Sequence, residues 1–174
     1  MLKKARVKTL QLFHRYSLEE FMEPPMKVLR TLPEHGYCFV CGKTNQHGMG
    51  VRWQLMEDMS ISAEITLDLA QQGPPGYAHG GASAALLDEA MGTSVWVAGH
   101  QAVAVNLQVN YLRPVPLHAP VVVKGRMERM EGRKIFASST ITSGDGNTLA
   151  TGQGIYIEAP ELTKDVWNHI DTSS

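Results

Sequence analysis

Residues 82–99, ASAALLDEAMGTSVWVAG, constrain this chain more than any other stretch. As a helix they are apolar on nearly every side, and a helix without a polar face has to be enclosed. The run falls short of the roughly 20 residues of a membrane span and carries two carboxylates, so it reads as a core helix. Gly99 predicts its stop. The two charges are Asp88 and Glu89, and an ionised carboxylate is costly to bury without partners. Successive helical residues point about 100° apart, so the pair faces different surroundings. Asp88 looks towards Ala84, Ala85 and Met91; Glu89 looks towards Ala85, Leu86, Gly92 and Thr93. Apolar surroundings raise a carboxyl pKa, which suits a base or a poised nucleophile. The plainer alternative is a pairing with Arg113 or Arg126, or a place in a subunit interface.

What surrounds the helix reads as strands. Gly50–Leu55 and Ser60–Leu67 form a hairpin around Glu57-Asp58, with Ile61, Ala63, Ile65 and Leu67 alternating against polar neighbours. After a Gly/Pro-rich loop over 71–81 and the helix come four more stretches. Ala102–Leu112 places Val103, Val105, Leu107, Val109 and Tyr111 on one face and Asn106, Gln108 and Asn110 on the other. Pro120–Arg129, Lys134–Thr142 and Thr148–Ile157 follow, joined by turns at Glu131-Gly132-Arg133 and Gly144-Asp145-Gly146-Asn147. No βαβ alternation is present. The expectation is an α+β domain: a curved antiparallel sheet, its last four strands in meander, wrapped around one long central helix.

Residues 34–160 form that domain, and 161–174 read as a tail. Residues 1–33 read as an N-terminal appendage, with a weakly amphipathic helical pattern over 2–22 punctuated by Pro24-Pro25 and Pro33. The basic start of the chain is interrupted by Gln11, His14 and Arg15, which does not suit a secretory signal. Glu19, Glu20 and Glu23 argue against a transit peptide. Net charge is −1, from 16 Lys+Arg against 17 Asp+Glu, so no nucleic-acid partner is expected and an anionic ligand must be held locally. Two closely spaced cysteines make no secreted disulfide framework. A cytoplasmic protein with no membrane association is the expectation.

Immediately before the helix stands Gly76-Tyr77-Ala78-His79-Gly80-Gly81. Paired glycines at a helix start let a ligand approach exposed backbone N–H groups, which with the positive helix end stabilise an oxyanion. A backbone donor at the start and a carboxylate two turns further in are parts that acyl transfer needs.

The stretch from His79-Gly80-Gly81 to Asp88 resembles the signature of hot-dog-fold thioesterases of the phenylacetyl-CoA thioesterase (PaaI) type. Val105 to Pro116, reading VNLQVNYLRPVP, resembles the strand that follows the helix in that family. Cys38-Phe-Val-Cys41-Gly42, with Asn45 and His47-Gly48-Met-Gly50, resembles a lead-in found in many members, and Glu131-Gly132-Arg133-Lys134 also matches. The resemblance covers about residues 36–158. It implies the hot-dog fold, a homodimer or tetramer with active sites between subunits, and hydrolysis of an acyl-CoA thioester to free acid and CoA. Asp88 takes the place of the catalytic carboxylate, as general base or nucleophile. Gly80 takes the place of the backbone oxyanion donor, and His79 positions substrate or braces the loop. Gly81 completes the substrate-binding backbone. Two departures stand out: Gln71-Gln72-Gly73 lies where some relatives have an Asn, and Ala104 where some have a Ser or Thr. Asn106 and Gln108, on the polar face of that strand, are the candidates to substitute as substrate-binding groups.

Other groups have more than one reading. Arg113, Arg133 and Lys134 are candidates for the phosphates of CoA, against ordinary surface charge. Ser83 lacks the Gly-x-Ser-x-Gly frame of a serine nucleophile. Cys38-x-x-Cys41, with His35 and His47 nearby, has the makings of four zinc ligands, but one CxxC without a second pair reads as a turn with small buried side chains. No metal and no cofactor are expected, coenzyme A entering as part of the substrate. Alternatives to hydrolysis are an acyl-CoA or lipid-binding protein without turnover and an enoyl-CoA hydratase-like enzyme.

Overall fold

The structure, a computed structural model, describes residues 26–162. Seven strands form one sheet: β1 (Val28–Thr31), β2 (Gln54–Met56), β3 (Ile61–Thr66), β4 (Ala102–Tyr111), β5 (Pro120–Glu131), β6 (Lys134–Ser143) and β7 (Thr148–Glu158). The helix α1 (Gly80–Val97) lies between β3 and β4 in sequence and packs on one face of the sheet. Every strand pair is antiparallel.

The spatial order is β1-β2-β3-β5-β6-β7-β4. The meander expected of the last four strands therefore holds only for β5, β6 and β7. The helix carries the chain across the sheet from β3 to the far edge, where β4 pairs with β7. The segment after β4 then returns to β5 beside β3. This crossing lays α1 over β5, β6 and β7. Val121, Val123, Ile135, Ile141 and Ala150 close on it from the sheet. On its other side the lead-in covers it with Leu32, Val40, Cys41, Val51 and Trp53, which share one core with Leu86 and Leu87. Leu86, Leu87, Ala90 and Met91 are 0% exposed. Each fully buried Leu contributes about 1.5–3 kcal/mol of transfer free energy.

The crossing is close enough to dictate glycine. A Cβ on Gly125 would lie 2.6 Å from the carbonyl carbon of Ala90, and one on Gly152 would press on Leu87 Cβ at 3.2 Å. Gly99, at φ +92, turns the chain out of the helix and donates its N–H to the Trp96 carbonyl at 2.8 Å.

Two expectations change. The sheet begins before residue 34, since Val28–Thr31 pairs with β2 as an edge strand. The helical pattern over 2–22 and most of the 161–174 tail lie outside the described residues. The alternation of β4 is interrupted by a bulge at Val105, which is 58% exposed. Beyond it Leu107 and Tyr111 point to the helix side, opposite Gly154 and Ala150, yet remain 40% and 56% exposed. They sit on an edge that no element among the described residues covers. Among the described residues no helix is long and apolar enough to cross a membrane.

Candidate active site

Sequence chemistry at the start of α1 is local. His79 is the N-cap, extended at φ −62 and ψ 140, and its Nδ1 accepts the Gly81 N–H at 2.9 Å. A ring nitrogen thus takes the capping role more often filled by Ser, Thr or Asp. That bond makes Nδ1 the unprotonated nitrogen, so neutral His79 carries its proton on Nε2 at the exposed side. It also engages Gly81 N–H, which leaves Gly80 N–H as the open donor: the first N–H of a helix has no acceptor one turn back. Gly73 lies beneath, where a Cβ would meet His79 Cα at 2.8 Å. The Tyr111 hydroxyl, reaching from β4, donates to the Gly80 carbonyl at 2.9 Å. Ala78, Gly80, Ser83, Tyr111, Leu112 and Arg113 line a cavity of about 310 Å³ at this end.

Asp88 lies eight residues further along, half-buried. The Tyr156 hydroxyl, from β7, donates to Asp88 Oδ1 at 3.1 Å and lies equally close to the Asp88 carbonyl oxygen. Burial, and next the negative Asp88, push the Tyr156 phenol up, so it stays a donor at neutral pH. Oδ2 of Asp88 has no donor among the described residues. Tyr156 escaped the sequence pattern, which marks it only as one apolar-face residue of a strand. Its cross-strand neighbour is Ala104, the position where a Ser or Thr was missed.

Eight residues of helix put Gly80 and Asp88 about 12 Å apart along the axis. One thioester carbonyl cannot sit against both in a single chain. A site shared by the two needs the helix start of one copy and the carboxylate of another, which is the between-subunit arrangement that the family resemblance implies.

The remaining expected ligand groups scatter. Asn106 and Gln108 pair with Ile155 and Gln153 on the face of the sheet away from α1, around an outer cavity of about 500 Å³. The structure does not bring them to Asp88. Arg113 donates to the Thr148 carbonyl at the start of β7, whereas Arg133 donates to the Glu158 carbonyl at its end, each at 2.8 Å. Ten strand residues separate those anchors by about 33 Å, so Arg113 cannot share one phosphate with Arg133 or the adjacent Lys134 in one chain. His100 stands in the turn after the helix, 2.9 Å from Glu158 Oε1.

Glu89 turns to the lead-in. Its Oε1 lies 3.0 Å from Cys41 Sγ, 3.5 Å from Cys38 Sγ and 3.8 Å from His35 Nδ1. Burial raises the Glu89 carboxyl to about 7, only partly offset by the Cys41 thiol. Hydrogen bonding from the Cys41 side chain, with backbone N–H groups of Cys41 and Val40, lowers Cys38 to about 5. Cys41 is pushed the other way by that same sulfur contact and by burial. His47 is exposed and takes no part.

An antiparallel sheet enclosing one apolar helix, with a glycine-flanked helix start and a carboxylate mid-helix, defines a hot-dog protein of the thioesterase type. Residues 75–150 match the family model described as Thioesterase superfamily. It is 37% identical over 109 residues to mouse acyl-coenzyme A thioesterase THEM4, covering 61% of this chain and 47% of that protein. It is 32% identical over 140 residues to the rat protein of the same name, covering 79% of this chain and 55% of that one. The chain thus spans about half the length of these curated relatives. A solved thioesterase superfamily protein superposes with a TM-score of 0.69 at 26% identity, over 89% of this chain and 81% of the other. The Escherichia coli PaaI protein of the phenylacetic acid degradation operon shares the fold, with a TM-score of 0.59 at 18% identity over 64% of this chain and 80% of its own.

Proposed function

We propose that this protein hydrolyses an acyl-CoA thioester to the free acid and CoA, with Asp88 as the catalytic carboxylate. The observation that carries the proposal is Asp88 itself, half-buried mid-helix with one oxygen held by Tyr156 and the other open. Water attacks the thioester carbon while Asp88 takes its proton, or Asp88 attacks first and water releases the acyl group. In either case the carbonyl oxygen becomes an oxyanion, and the C–S bond breaks as the tetrahedral intermediate collapses. The departing CoA thiolate then takes up a proton. The oxyanion rests on Gly80 N–H at a positive helix end, and His79 holds that helix start in shape. Tyr156 is the group that positions Asp88, in place of the hydroxyl absent at Ala104. Neither route calls for a metal or redox cofactor at the reacting carbon.

Because Gly80 and Asp88 are too far apart along one helix, the reading includes a homo-oligomer whose sites lie between copies. β4 supports it. Edge strands with exposed apolar side chains recruit partners, and Val105, Leu107 and Tyr111 are exposed along this edge. Arg113 beside the Gly80 cavity is the cation suited to a CoA phosphate there. A reducing compartment such as the cytoplasm suits a chain whose two cysteines are free.

The test is thiol release over acyl-CoAs of graded chain length, for wild type and Asp88→Asn. Asp88-dependent release is the expected result. Tight binding of acyl-CoA without release makes the protein a binder, and hydration of crotonyl-CoA makes it a hydratase; either refutes the hydrolase reading.

A further inference from the structure

We infer that His35, Cys38, Cys41 and Glu89 form a structural site for a thiophilic divalent cation of the zinc class. The four side chains come from two separate parts of the chain, the lead-in before β2 and the middle of α1. Cys41 and Cys38 lie 48 and 51 positions from Glu89 in sequence, so only the fold assembles the set. The ligand atoms of His35, Cys41 and Glu89 all lie within 4.8 Å of one another. Cys38 Sγ joins them at 3.5 Å from Glu89 Oε1. Zinc holds sulfur at about 2.3 Å and nitrogen or oxygen at about 2.0–2.2 Å, which puts tetrahedral ligands roughly 3.3–3.8 Å apart. Contacts of 3.0, 3.5 and 3.8 Å to Glu89 Oε1 bracket that spacing, so side-chain adjustments within an ångström or so suffice.

The turn carrying the cysteines is shaped independently for a metal-bound sulfur. Backbone N–H groups of Val40 and Cys41 point at Cys38 Sγ, at 3.3 and 3.5 Å. Gly42 N–H closes the turn on the Cys38 carbonyl at 3.0 Å. A Cβ on Gly42 would lie 2.5 Å from Cys38 N, so only glycine fits after the second cysteine. A loop wound this way supplies hydrogen bonds to a sulfur that carries negative charge. The imidazole is equally set: His35 packs edge-on against Trp96 at 5.5 Å, and its Nε2 is buried with no hydrogen-bond partner among the described residues. Among the described residues no Lys or Arg forms an ion pair with Glu89. Arg52, the nearby cation, is held by Glu34 at 2.6 Å and by the Cys41 carbonyl. Two sulfurs, a carboxylate and an imidazole thus converge with no cation among them, and a divalent ion balances the set.

Four protein ligands leave no open coordination position, so the site is structural rather than catalytic. It fastens the lead-in to α1 at the residue next to Asp88. This reverses the sequence expectation of no metal, and it replaces His47 with Glu89 in the ligand set considered there.

The experiment uses the full chain without a histidine tag, stripped by a chelator and titrated with Zn²⁺ and, separately, with Co²⁺. Stoichiometric uptake is expected, with a thiolate-to-cobalt charge-transfer band in the near ultraviolet. Zinc should protect both Cys38 and Cys41 from alkylation, and chelation should remove the protection. Glu89→Gln and His35→Asn should weaken binding roughly 10- to 100-fold, while His47→Ala leaves it unchanged. Cys41→Ser should abolish the charge-transfer band. Should that variant not fold, alkylation of the wild-type cysteines with and without zinc still decides. Equal alkylation in both states, no charge-transfer band, or His47→Ala weakening uptake as much as Glu89→Gln would each overturn the site. None of these readouts depends on turnover, so they stand apart from the outcome of the thiol-release assay.

Discussion

Removing a single oxygen, in Tyr156→Phe, probes how Asp88 is held. The ring is 4% exposed and packs beside Gly92, 3.8 Å from where a Cβ there would lie, so phenylalanine preserves the packing. What disappears is the hydroxyl donor to Asp88 Oδ1 at 3.1 Å. A hydrogen bond to a charged group contributes about 1.5–3 kcal/mol. Because Asp88 is half-buried, water can replace part of that, which points to the lower end, about 1.5 kcal/mol. For a chain of this size each kcal/mol moves the melting temperature by about 2–4 °C, so a fall of about 3–6 °C is expected. If the bond also aims the carboxylate, a comparable loss in the transition state lowers kcat about tenfold. KM should hardly change, since the hydroxyl touches Asp88 and not the substrate. Thermal melts and steady-state thiol release on the same preparation measure both. A melting temperature within a degree of wild type together with an unchanged kcat would refute the reasoning, because it would mean that Asp88 is positioned without Tyr156.

Asp88→Asn, which keeps shape and removes the base, should cut thiol release by about 10²–10⁴-fold while leaving the fold intact by circular dichroism. Gly125→Ala forces a methyl onto the Ala90 carbonyl and should cost about 1–3 kcal/mol in urea unfolding. Leu107→Asp charges the open β4 edge and should shift the oligomer towards smaller species in sedimentation; an unchanged mass would place the interface elsewhere. In metal-free protein, Glu89 titrates at about 7 when folded against 4.5 ordinarily. Between those values the unfolded chain gives up a proton that the folded chain keeps. Glu89 therefore contributes stability that is present at low pH and lost as pH rises from about 4.5 to 7, by about 3 kcal/mol at most, while Cys38, ionised in the fold from about 5 against 9 ordinarily, contributes in the opposite sense above pH 5. Glu89→Gln should remove the first contribution, so that in urea titrations the variant's stability rises with pH between about 5 and 7 more steeply than wild type's.

Elements whose signal is local were legible from the residues. The strands β3, β5, β6 and β7 follow alternation and turn chemistry, and α1 follows from an apolar run flanked by glycines. An apolar helix of that length also demands enclosure, which with no βαβ pattern leaves a wrapped antiparallel sheet. The helix start at His79-Gly80-Gly81 was readable because capping involves neighbours only a few residues apart, although nothing in the pattern said that the imidazole itself would be the cap.

Everything that depends on distance between non-neighbours had to wait for the tertiary structure. Strand order was one case: β4 could pair with β5 or β7 equally well by alternation, and only the path of α1 across the sheet sends it to the far edge. Separation was another, since Gly80 with Asp88, and Arg113 with Arg133, look like partners until a rise of 1.5 or 3.3 Å per residue is counted out between them. The two adjacent carboxylates show the division most clearly. Sequence alone determined that Asp88 and Glu89 share one enclosed helix and face different ways. What each one meets, a tyrosine hydroxyl from β7 for Asp88 and two sulfurs and an imidazole from the lead-in for Glu89, was decided by packing, because side chains from 35 to 156 converge there only once the core has closed.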